Sequence, residues 1–93
     1  MRVRLRVPLL LRYTDSHGNE AEQETITENV SLSGFLCTCT GELTAGSIVE
    51  VYLTTPGTMC VGKAKIVHSD TKASPLRHFG FLFMEKTGAW VLN

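Results

Sequence analysis

No apolar run in this 93-residue chain approaches the length of a membrane span, and no basic-then-apolar leader opens it. Both absences argue against membrane insertion and set the expectation of a cytoplasmic protein. Net charge is also lacking, with nine basic residues against nine acidic ones. A general DNA or RNA binder, which gains affinity by neutralising many phosphates, is therefore not expected. Cysteines are few and odd in number: Cys37, Cys39 and Cys60. A secreted disulfide framework wants even pairing at higher density. A metal site wants more ligands at finger-like spacing, and no histidine flanks Cys37 and Cys39, so no metal is expected. The thiols read as small buried hydrophobes. His17, His68 and His78 have no thiol or carboxylate at suggestive spacing, no GxSxG elbow is present, and no carboxylates are paired for acid–base work. Catalysis is not expected, and neither is a cofactor. Repeats, linkers and low-complexity stretches are absent as well.

What remains is an ordinary globular composition, 43% apolar and 19% charged. A chain of this length forms one domain that buries about 60–65% of its unfolded surface. Its charges are segregated. Residues 1–12 hold four arginines and no acid, residues 13–50 hold seven acids and no Lys or Arg, and residues 51–93 hold five bases and two acids. Solvated faces that happen to cluster account for this as well as a basic arm suited to a small anion does.

Period-two patterning dominates and predicts strands. Val7, Leu9, Leu11 and Tyr13 share one face of the first, although Leu10 interrupts the alternation. Asp15–Asn19 is a turn cluster leading into a second strand over about 21–30. There Ile26 and Val30 are expected inward, and Thr25, Thr27, Asn29 and Ser31 outward. Phe35, Cys37 and Cys39 continue the inward pattern, and Leu43 is expected half-buried in the loop from Thr40 to Gly46. Strands then follow over 48–54, 59–68 and 77–84, with a Pro56-Gly57 turn and a polar segment over Ser69–Pro75 between them. Such spacing suggests a barrel or sandwich. Residues 85–93 are read as a short helix or a tail, with Trp90 and Leu92 packing on the barrel; Gly88 costs a helix about 1 kcal/mol.

Two clusters carry chemistry. Arg2, Arg4 and Arg6 alternate along an extended arm, so all three point one way, with Arg2 and Arg6 about 13 Å apart by the strand rise. Asn29, Ser31 and Gly34 form NxSxxG at a strand end, where side chains at i and i+2 project together. Guanidinium groups fork onto phosphates and onto the O6/N7 edge of guanine, while Asn and Ser supply acceptors and donors for another guanine edge. The set suits a guanine nucleotide carrying phosphates. Alternating arginines also guard a strand edge against aggregation, and Asn and Ser at a strand end also hydrogen-bond nearby backbone.

In this order and spacing, RxxxR at Arg2 and Arg6 followed by NxSxxG at Asn29, Ser31 and Gly34 resembles the PilZ domain, the bacterial receptor module for cyclic di-GMP. Val7-Pro8 after the arm, Gly62–His68 and Phe79–Phe83 resemble further landmarks of that family, so the resemblance spans nearly the whole chain. It implies an all-β fold: a small antiparallel six-stranded barrel of split-barrel or Greek-key type over 7–84, with a flexible arm over 1–6. It implies that Arg2 and Arg6 hold guanine faces and phosphates, that Asn29 and Ser31 hold a guanine edge, and that Gly34 shapes the surface through positive φ or close ligand approach. Arg4 lies outside the motif, an auxiliary phosphate contact at most. Asn29 stands where the family often has Asp, so one acceptor oxygen replaces a charged pair. Output would come from ligand ordering the arm toward a protein effector or attached domain. The alternative is an adaptor of the same fold that binds no nucleotide and works through partners in pilus or motility systems.

Overall fold

The computed structural model describes residues 2–40, 43, 45–69 and 77–92. Six strands run in chain order: β1 (Pro8–Thr14), β2 (Glu20–Val30), β3 (Gly34–Cys39), β4 (Ile48–Leu53), β5 (Met59–Ser69) and β6 (Arg77–Lys86). They close into a barrel in the order β1-β2-β3-β6-β5-β4, every pair antiparallel. The closing pair joins β1 to β4, with Leu9 opposite Leu53 and Arg12 opposite Glu50, so no edge of the sheet is left open. The expected strands are all present. The polar connection expected over Ser69–Pro75 lies outside the described residues apart from Ser69.

Alternation fills the interior. Leu9 and Leu11 of β1, Phe35, Cys37 and Cys39 of β3, Val49 and Val51 of β4, Val61, Ala64 and Ile66 of β5, and Phe79 and Phe81 of β6 are all buried. Leu43, expected half-buried, is fully enclosed with them. Phe35 stacks on Phe81 at 4.7 Å, and Phe83 meets Trp90 edge-on at 4.8 Å. Aromatic pairs of this kind add about 0.5–1.5 kcal/mol beyond their buried area. The core is therefore heaviest where β3, β6 and the C-terminal segment meet.

Three expectations are corrected. No helix occurs among the described residues of 85–92: β6 runs on to Lys86, and the chain then turns. The Lys63–Glu85 and Gly62–Lys86 pairings show why, because β5 is long enough to keep β6 paired past Met84. Cys60 is exposed rather than buried. In β2, Ile26 is 44% exposed and Thr27 is wholly buried, the reverse of the expected pleat. The register explains this last case. Thr27 pairs with Cys37 but Asn29 with Leu36, so a bulge between them resets the phase, and Val30 still turns inward.

Candidate ligand cleft at the end of β2

That bulge decides where the NxSxxG side chains go. Without it Asn29 would follow Thr27 into the core; with it Asn29 and Ser31 are half-buried at the surface. Both line a cleft of about 170 Å³ whose other walls include Arg2, Gly34, Val67, His68, Gly80 and Leu82. The structure thus brings together Arg2, Asn29, Ser31 and Gly34 of the expected site. Arg4 and Arg6 are exposed and do not line this cleft.

The turn after Asn29 is built around Ser31. Its hydroxyl accepts the amide N–H groups of Gly34 at 3.1 Å and Ser33 at 3.3 Å, and its own amide donates to the Gly34 carbonyl at 2.9 Å. Three further bonds come from outside the turn. The Phe83 amide donates to the Ser33 carbonyl (2.7 Å), Lys86 Nζ to the Leu32 carbonyl (2.5 Å), and the Trp90 indole N–H to the Ser31 carbonyl (2.9 Å). The protein's own hydrogen bonds therefore hold the ledge.

Gly34 serves this ledge differently from the expectation. Its φ is not positive, and a β-carbon there would overlap the Phe81 carbonyl oxygen on the neighbouring strand. The missing side chain makes room for β6. This lets the turn sit directly on the sheet.

The arm lies along the second half of β2. Val3 and Val30 exchange both backbone hydrogen bonds, at 2.8 and 2.9 Å, and Val3 is packed against the core. Thr27 Oγ1 accepts the Val7 amide at 2.8 Å and donates to the Leu5 carbonyl at 2.6 Å, while the Thr27 amide donates to the Val7 carbonyl at 3.0 Å. Anchored at Val3, the arm aims Arg2 at the ledge, where Nη1 donates to Asn29 Oδ1 at 3.4 Å. A long bond to a neutral amide leaves most of that guanidinium's donors for a ligand.

Other charged groups are already engaged. Arg12, the fourth arginine of the basic segment, lies 3.5 Å from Glu22 and over the Tyr52 ring. Its pKa is raised, first by the hydrogen bond with the Tyr52 side chain and then by the Glu22 carboxylate. His78 Nε2 meets Glu28 Oε1 at 3.1 Å on the outer surface, with Glu28 sitting in the bulge. Cys37 and Cys39 place their sulfurs 3.7 Å apart in the core; the Cys39 partner and burial push the Cys37 thiol well above the usual range. Among the described residues no His, Cys, Asp and Glu side chains are grouped to hold a metal ion, and no helix is long and apolar enough to cross a membrane.

Sequence reasoning missed Thr27, Lys86 and Trp90 as supports of the site, and His68 as a wall of the cleft. A lone tryptophan near a core does carry one signal, because a buried indole N–H needs an acceptor. Nothing in the sequence named Ser31 as that acceptor.

The architecture is a six-stranded barrel with an arginine arm laid against a polar turn, and comparison with known proteins gives its class. The PilZ domain family profile matches residues 2–89, and the chain belongs to that family. The barrel is similar to the PilZ domain of CeSA from a cellulose-synthesizing bacterium, with a TM-score of 0.64 and 14% identity, covering 94% of this chain and 83% of that one. It is also similar to YcgR from Escherichia coli, solved in complex with c-di-GMP, with a TM-score of 0.63 and 15% identity. That match covers 95% of this chain but only 38% of YcgR. Both are likenesses of fold. A search of curated proteins finds no match.

Proposed function

We propose that this chain is a receptor domain for cyclic di-GMP in the bacterial cytoplasm, acting by binding and not by catalysis. The observation that supports it most is a convergence. Arg2 and Asn29, 27 residues apart in sequence, face each other at 3.4 Å across one cleft, on a turn already held by Ser31. In this reading Asn29 and Ser31 hold a guanine edge, Arg2 forks onto a guanine O6/N7 face or a phosphate, and Arg6 swings in from its exposed position when ligand is present. Gly34 keeps the turn against β6. Arg4 is an auxiliary phosphate contact. Ligand would order the arginine arm, and differential binding to its two postures would supply the signal to an effector protein or attached domain.

A titration of the protein with cyclic di-GMP in a calorimeter tests this, with GTP and cyclic GMP as controls. Saturable binding at one or two ligands per chain, far tighter than for either control, is the expected result. An absence of binding, or equal binding of all three, rejects it and leaves the nucleotide-free adaptor. One observation favours that second reading: Leu32, Val67, Leu82 and Met84 are 46–57% exposed, and two of them line the cleft. Such residues can equally meet a protein partner.

A further inference from the structure

Trp90, the chain's sole tryptophan, is 1% exposed, and its ring lies 5.6 Å from Phe35 and 4.8 Å from Phe83. A buried aromatic in that cluster needs only its ring. What the indole adds is one N–H, and that N–H is spent on the Ser31 carbonyl at 2.9 Å, 59 residues away in sequence. Ser31 uses its amide and hydroxyl inside the 31–34 turn. Its carbonyl is held from outside, by a group rooted in the core. A turn of that carbonyl changes ψ at Ser31 and displaces the backbone that follows, whose Ser33 and Gly34 amides donate to the Ser31 hydroxyl, so the indole holds the 31–34 turn against its own side chain.

We infer that Trp90 is the positioning residue of the ligand ledge: its indole N–H sets the Ser31 peptide plane, and the 87–92 segment is thereby coupled to occupancy of the cleft. The coupling to ligand rests on the cyclic di-GMP reading; the positioning does not. Trp90→Phe keeps an aromatic ring in the cluster and removes the donor. Phe79→Leu trims the same core beside Phe81, with no ring contact to Trp90, and serves as the packing control.

Two readouts separate the outcomes. Amide hydrogen exchange of Ser33 and Gly34, without ligand, should accelerate about five- to tenfold in Trp90→Phe, as expected for the loss of one hydrogen bond. It should hold at the wild-type rate in Phe79→Leu even though that variant melts lower. Affinity for cyclic di-GMP should fall about fivefold in Trp90→Phe alone. Unchanged turn exchange in Trp90→Phe, or equal acceleration in both variants, overturns the inference. Acceleration in Trp90→Phe only, with no cyclic di-GMP binding even by wild type, upholds the positioning and rejects the ligand. Should Trp90→Phe fail to fold, the wild-type indole N–H decides: exchange about a hundredfold slower than in the unfolded chain upholds the bond, and exchange at the unfolded rate overturns it.

Discussion

The carbonyl oxygen of Phe81 occupies the space that a β-carbon on Gly34 would need. The obstruction is backbone on a strand bonded on both sides, so it cannot swing away as a side chain would. Gly34→Ala must push β3 off β6 at the point where the ledge begins. A cost of about 1–3 kcal/mol is expected, in the range for overpacking a tight site. Gly57, with nothing within 4 Å of its would-be β-carbon, is the control. Gly57→Ala should stay within about 0.5 kcal/mol of wild type. Urea midpoints measure both, and equal midpoints for the two variants would contradict the account of Gly34.

Thr27 offers a second test, because one buried hydroxyl holds two backbone groups of the arm, the Val7 amide and the Leu5 carbonyl. Thr27→Val keeps nearly the same shape and leaves the Val7 N–H without its acceptor in a buried place. The expected loss is about 1–3 kcal/mol, the usual penalty for an unsatisfied buried polar group. Val7 amide exchange should accelerate in step. Thr27→Ser retains the hydroxyl and should preserve that protection even if it loses some packing. Exchange at Val7 that ignores Thr27→Val would mean that the arm is held by the backbone bonds at Val3 and Val7 and not by the Thr27 hydroxyl.

The same residue marks where sequence reasoning stopped. Strand positions and most of the core follow from alternation, since Leu9, Leu11, Phe35, Val49 and Val51 are apolar at the right parity and are buried. Alternation assumes that a strand keeps its phase. The bulge between Thr27 and Asn29 breaks that assumption through pairing with β3, which one strand's sequence does not encode. Asn29 and Ser31 were expected at the surface and are there, but with Thr27 inward and Ile26 outward on the way. Gly34 was legible as a required glycine; its reason, a neighbour's carbonyl, is a tertiary fact. So is the Trp90 bond to Ser31.

Cysteine accessibility separates positions that looked alike in sequence. Cys37 and Cys39 are enclosed, and burial with a neighbouring thiol keeps the Cys37 proton on. Cys60 is exposed at the start of β5. Since only an accessible thiolate reacts quickly, a native sample treated with a thiol-specific disulfide reagent should release about one equivalent promptly. Unfolding should then raise the count to the three cysteines of the chain. Cys60→Ser should abolish the prompt phase and leave stability within about 0.5 kcal/mol. A prompt phase that survives this substitution would show that the β3 pair opens readily.

The ligand contacts give the last prediction. Arg2→Ala and Arg6→Ala should each cost about 1–3 kcal/mol of cyclic di-GMP affinity, the value of a bidentate contact. Lysine at either position should not restore it, because a point charge lacks the fork. At position 29 the sign should reverse with chemistry. Asn29→Ala removes the acceptor and should weaken binding. Asn29→Asp supplies a charged acceptor for the N1–H and N2–H₂ groups of guanine, and charged hydrogen bonds exceed neutral ones by about 1 kcal/mol. Against this stands Arg2, 3.4 Å from Asn29 Oδ1, which the new carboxylate would attract. Exposed ion pairs are worth only about 0–1 kcal/mol, so the guanine contact should win and affinity should rise a few-fold at physiological salt. Calorimetry on the three position-29 proteins orders them Asp, Asn, Ala; an Asp variant weaker than the Ala variant would remove the guanine edge from Asn29 and assign the residue to holding Arg2.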